Sequence, residues 1–167
     1  MKQKILIGVL IVAGLASIAY AAFSQSLVVN GTGTTTGDWN VKITGVTNSA
    51  STGATQVNGS PTFTATSATF NTNLAYPGAS ATYQITVKNQ GNINAKLDSI
   101  SDIATINATA PSDIKYTITG VTAGTTTLAA GTTNVITVKV EWLATSTMTT
   151  NASKSATITF NYIQNTP

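Results

Sequence analysis

The spacing of apolar residues changes once along the chain, near residue 23. Before it, Ile5 to Ile18 is a nearly continuous apolar run, preceded by Lys2 and Lys4 and followed by Ala19-Tyr20-Ala21. A basic stretch, an apolar stretch of this length and a small-x-small site predict a secretory signal peptide over residues 1–21, forming an N-terminal apolar helix and cut before Ala22. The rival reading is a retained membrane helix, since Ile5 to Phe23 carries no charge and is just long enough to span a bilayer. A pilin-type cut ahead of the apolar run would want a small residue there, and Gln3-Lys4-Ile5 offers none.

After residue 37 the apolar period becomes two, the signature of half-buried strands. Trp39, Val41 and Ile43 alternate with Asn40 and Lys42, and Tyr83, Ile85 and Val87 with Gln84 and Thr86. Ile114, Tyr116 and Ile118 form a third set, Ile136, Val138, Val140 and Trp142 a fourth, and Ala156, Ile158, Phe160 and Tyr162 a fifth. Phe63 and Ala65 are out of phase with Ala68 and Phe70, which predicts a bent strand with a bulge or break near Ser67. Pro77-Gly78 and Gly131 to Asn134 read as turns, Asn48 to Pro61 as a long polar loop, and Ser101 to Ala108 as one or two helical turns. Strands with one apolar face each must bury it against another sheet, so residues 38–167 are expected to form an all-β, two-sheet antiparallel sandwich. Its expected core contains Trp39, Val41, Ile43, Tyr83, Ile85, Val87, Ile136, Val138, Val140, Trp142, Ile158 and Phe160.

Composition narrows the chemistry. The chain has neither cysteine nor histidine. It therefore lacks disulfides, ordinary zinc or copper ligands, and the imidazole of Ser-His-Asp or Cys-His nucleophiles, so no catalytic residue and no cofactor is expected. Loss of the leader removes Lys2 and Lys4, leaving six lysines, no arginine and five acids. The mature chain is nearly neutral with scattered lysines, which argues against nucleic acid as a partner, and the membrane is met only through the leader. Asp98, Asp102 and Asp113 match no calcium loop and read as solvated surface. Glu141 beside Lys88 or Lys139 invites an isopeptide bond, but it alternates outward, away from the apolar interior that reaction needs. Asn30, Asn58, Asn107 and Asn151 head N-x-Ser/Thr sequons and are candidate glycosylation sites in loops or strand ends.

Between leader and sandwich, residues 22–37 form an apolar segment, with Ala22, Phe23, Leu27, Val28 and Val29, followed by a polar Gly/Thr tether from Asn30 to Gly37. An apolar strand on a tether suits addition to another subunit's sheet. Alternatively, Ser26 to Val29 folds back as an edge strand of its own domain.

Several of these stretches resemble the TasA/camelysin family of exported biofilm-matrix proteins. They are Ala19 to Ser24, then Thr36-Gly37-Asp38-Trp39-Asn40-Val41, then Asn73 to Ser80 with its Leu-x-x-Pro-Gly turn, then Tyr83 to Gly91 ending Lys-Asn-x-Gly. The likeness covers the leader and the first half of the mature domain. It implies a jelly-roll-like sandwich and a secreted subunit that assembles with copies of itself, head to tail, into extracellular or surface fibres by donor-strand complementation. Ala22, Phe23, Leu27, Val28 and Val29 would then be the donor strand. The peptidase activity described for the camelysin branch has no His-Glu-x-x-His motif to rest on here. The competing expectation is a membrane-anchored cell-surface adhesion module with a β-sandwich domain.

Overall fold

The computed structural model describes residues 34–57, 59–149 and 152–165. The leader, the donor segment with Ala22, Phe23, Leu27, Val28 and Val29, and the sequon residues Asn30, Asn58 and Asn151 lie outside the described residues. Residues 36–167 make one compact unit. It is an all-β sandwich of two antiparallel sheets.

The first sheet has the order β1 (Val41–Thr52), β5 (Ser80–Asn89), β9 (Thr133–Trp142), β7 (Ile114–Thr119). The second has the order β2 (Ala54–Gln56), β4 (Ser67–Leu74), β10 (Ala152–Gln164), β6 (Ala95–Ile100), β8 (Thr127–Leu128), with β3 (Thr62–Phe63) also paired to β4. A short helix, α1 (Ile103–Ala108), joins β6 to β7. Asp102 caps it, its carboxylate accepting from the N–H groups of Ala104 and Thr105.

The inward residues of the five alternating sets meet between the sheets. Ile43, Tyr83, Ile85, Val87, Ile136, Val138, Val140, Trp142, Ile158 and Phe160 are buried as expected, joined by Phe70, Leu74, Leu97, Ile114 and Leu128. Two hydroxyls tie the sheets across this core. Tyr83 and Thr72 share a 2.7 Å hydrogen bond, and the Tyr116 hydroxyl donates to the Lys154 carbonyl at 2.7 Å.

Three expectations need correction. Of the bulge or break expected near Ser67 the structure has the break, but it is the reversal of a β3–β4 hairpin, with Thr64 N–H donating to Ser67 O at 2.8 Å, and not a bend within one strand. Asn48 to Gln56 is not loop: β1 continues to Thr52, the chain reverses at Gly53 (φ 58°), and β2 pairs with β4. Trp39 is 43% exposed instead of buried, and Val41 is only half-buried.

Candidate functional site: an open slot at one end of the sandwich

The two displaced core residues lie together. Trp39, Val41 and Ile43 line one wall of a cavity whose other sides are Ala65 and Thr66 of the β3–β4 turn, Val87 of β5, and Phe160, Asn161 and Tyr162 of β10. Its lining is mixed: aromatic and aliphatic side chains of Trp39, Val41, Ile43, Val87, Phe160 and Tyr162 stand beside polar surface that includes Thr66 and Asn161. Among the described residues no strand joins β1 to β10 across it.

Register explains the gap. β10 pairs with β4 from Ala152↔Leu74 to Thr159↔Ser67, and there β4 stops. One more bond, Phe160 N–H to Thr66 O at 2.9 Å, closes that ladder. From Phe160 to Gln164, β10 pairs with β6 on its other edge. Main-chain groups of successive residues alternate in direction along a strand. Thr159 accepts from Ser101 and Asn165 donates to Asn94, so the odd residues address the β6 side. Tyr162 and Gln164 therefore turn their N–H and C=O toward the slot, in line with β4 but beyond its end.

The opposite wall is built the same way. Asn40 O accepts from Gln90 N–H at 2.7 Å and Asp38 O from Asn92 N–H at 3.0 Å, so these residues address β5 and the turn after it. Ile43 N–H instead donates to Ala65 O at 2.8 Å, which closes the upper end of the slot. The main chain of Trp39 and Val41, in phase with Ile43, faces the slot with no backbone partner among the described residues.

The two sequence motifs singled out above serve this end and the opposite one. In Lys88-Asn89-Gln90-Gly91, the buried Asn89 amide donates to the carbonyls of Ile93 (2.8 Å) and Leu128 (3.2 Å), and its oxygen accepts from Gly91 N–H at 3.1 Å. A Cβ at Gly91 would collide with Asp38 O, so only glycine lets the lead into β1 pass so close. Asn92 then clamps that lead: its Oδ1 accepts from Asp38 N–H at 2.7 Å and its Nδ2 donates to Thr36 O at 2.8 Å. The tether is thus rooted at the mouth of the slot. In Tyr76-Pro77-Gly78-Ala79, Ala79 N–H donates to Tyr76 O at 2.9 Å with Gly78 at φ 95°, the pattern of a type II turn that needs proline first and glycine second.

The remaining candidates fall elsewhere. Asp102 is spent as a helix cap, its carboxyl held below the usual carboxylate range chiefly by the Thr105 hydroxyl and N–H, and Asp113 accepts from Ser146 Oγ at 2.6 Å. No group of three metal-ligating side chains occurs among the described residues. Glu141 pairs with Lys139 on the outer face of the first sheet. Asn107 is half-buried, and its Nδ2 donates to Tyr116 O at 2.9 Å.

Sequence reasoning missed the slot, although the signal was present. Trp39 and Val41 extend an inward set to a level where, among the described residues, no partner strand covers them. Comparison with family models, with curated proteins and with solved structures found no match.

Proposed function

We propose that the protein is a secreted structural subunit that polymerises into extracellular fibres, each subunit's slot receiving the Phe23–Val29 segment of the next, in the manner of the TasA/camelysin family it resembles. The observation that carries this reading is the interrupted sheet: among the described residues the main chain facing the slot from β1 and from the end of β10 has no strand partner, and a cavity with apolar and polar lining lies between. Main-chain pairing supplies affinity, and alternate side chains dropping into the cavity supply register. Inserted in line with β4 and antiparallel to β10, the strand would pair with Tyr162 and Gln164 and cover Trp39. The contact joins two different surfaces, so it propagates instead of closing.

The test uses the mature chain, residues 22–167. Leu27→Asp or Val29→Asp, whichever side chain enters the cavity, should abolish fibres seen by electron microscopy, while Gln25→Ser leaves them intact. An excess of the peptide Ala22–Gly31 should shorten fibres. Polymerisation that proceeds unchanged after deletion of Ala22–Val29 would refute the reading. The competing adhesion module would keep its leader, so mass spectrometry of the exported protein should find Ala22 at the N-terminus.

A further inference from the structure

We infer that the outer face of the first sheet is a binding surface for an extended acidic polysaccharide, whose carboxylates are taken by the cross-strand couple Lys42 and Lys88. This face lies on the other side of the sheet from the core and the slot, and its role is independent of the donor-strand reading.

The lysines are scattered along the sequence, and register gathers them. Of the six beyond the leader, Lys42, Lys88, Lys115 and Lys139 stand on the outer face of the first sheet, with Glu141 as the one carboxylate on its strands. The four are not equivalent. Lys139 pairs with Glu141, while Lys115 stands opposite Glu141 in the register and donates to Asn107 O at 3.2 Å. Lys42 and Lys88 instead stand directly opposite each other on β1 and β5, and the next position across the sheet is Thr133 of β9. Among the described residues Lys139–Glu141 is the only ion pair, so neither lysine of the couple has a carboxylate partner, and Asp38, on the lead into β1, supplies none. Both lysines are half-buried, as lysines are whose aliphatic stems lie along a sheet while the ammonium stays in water. Like charges directly opposite on a sheet destabilise it, and an anion placed between the two ammonium groups turns that repulsion into attraction.

The rest of the face selects the kind of anion. A single small anion on two water-exposed ammonium groups is held weakly, because an exposed ion contact contributes little and salt screens it. A ligand that repeats its charge adds contacts that reinforce one another. Lys139 is level with Thr82, six residues and about 20 Å along β5 from Lys88, so a chain lying along β5 and β9 meets both cationic places. Between them Gln84, Thr86 and Thr137 surround Val135, which is 48% exposed, and this mixture of hydroxyl, amide and apolar surface matches the hydroxyls and C–H faces of a sugar. Duplex nucleic acid carries one charge per about 1.7 Å of axis and is gripped best by denser cationic arrays and by the arginines this chain lacks. A polymer with one carboxylate per sugar has the sparser charge that four lysines and one glutamate can meet.

Binding to immobilised polygalacturonate tests this, with dilute mature chain shown to be monomeric by sedimentation. The wild type should bind at low ionic strength and be released near about 1 M salt, where the Debye length is about 3 Å. Lys42→Gln/Lys88→Gln should bind about tenfold more weakly, the loss expected of two exposed ion contacts. Lys96→Gln, on the second sheet, should bind as the wild type does, and uncharged dextran should retain none of them. The double variant should melt no lower than the wild type, because the couple repels itself; a lower melting temperature would make the couple structural and overturn the inference. Equal binding of wild type and double variant, or no binding to polygalacturonate at low ionic strength, overturns it too. Tighter binding to duplex DNA than to polygalacturonate at equal salt overturns the choice of a polysaccharide.

Discussion

Tyr116 and Lys154 meet at the seam between the sheets, and burial acts on them with opposite sign. Lys154 is 6% exposed, and among the described residues its ammonium forms no ion pair with a carboxylate. It donates to the carbonyls of Thr109 (2.8 Å), Pro111 (3.4 Å) and Ile114 (3.2 Å). Burial, and then the charge of Lys115, lower its pKa. Burial, and then Tyr83, push the Tyr116 hydroxyl well above its ordinary value of 10.0. In the unfolded chain Tyr116 ionises near pH 10 while the folded chain keeps the proton, so its contribution is intact below pH 10 and is lost as pH rises above it. Lys154 works the other way between its lowered pKa and 10.5. Tyr162, also raised by burial, adds to the loss. Urea unfolding should therefore show stability falling above pH 10, by at most about 1.4 kcal/mol per pH unit for each tyrosine. Tyr116→Phe should start about 1 kcal/mol lower at pH 8, having lost one buried hydrogen bond, and fall less steeply at pH 11.

At the scale of elements, the free edges are treated unequally. β7 is an edge strand, and α1 lays Asn107 against it: Oδ1 accepts from Tyr116 N–H at 2.7 Å while Nδ2 donates to Tyr116 O. The amide occupies the place of a neighbouring strand and blocks pairing there. Asn107→Ala should cost about 1–2 kcal/mol and, at high concentration, produce dimers detectable by light scattering. Among the described residues the wall at Trp39 and Val41 has no such guard, in keeping with the docking edge proposed above.

β5, β7, β9 and β10 were legible because each buries most of one face, and the start of β1 because Trp39, Val41 and Ile43 keep the same period, so period two survives in the sequence. β6 and β8 were not, since Ala95, Leu97 and Leu128 are their only fully buried apolar residues. The far end of β1 and β2 run along sheet edges with both faces largely exposed, and the polar stretch Asn48 to Gln56 therefore looks like loop. Asn107's role was hidden in a sequon, where three residues cannot reveal that the amide is already bonded nine residues away.

Across the whole molecule, charge is uneven between the sheets, the second carrying only Lys96 and Asp98 on β6 and the buried Lys154 on β10 among its described strand residues. Register places Lys42, Lys88, Lys115, Lys139 and Glu141 on the outer face of the first sheet. The exposed positions of β10, from Ser153 through Ser155, Thr157 and Thr159 to Asn161, carry none. One core serves both sheets, so a single central defect should undo the domain. Val138 is fully buried in β9, and Val138→Asp should unfold the protein in circular dichroism at 25 °C, because an unpaired buried carboxylate costs several kcal/mol, comparable to the stability of a small domain.

The clamp at Asn92 also decides where tension goes. In a fibre built through the slot, a pull on the tether arrives at Asp38 and runs straight into β1 along its axis. β1 is matched to β5 from Val41↔Asn89 to Thr52↔Ser80, with register shifts between Ile43 and Gly45 and between Asn48 and Ala50, and ladder bonds lie across the strands. In the proposed fibre the load would meet the Asn92 bonds first and then pass in shear to the ladder segments between those shifts, instead of peeling them one at a time.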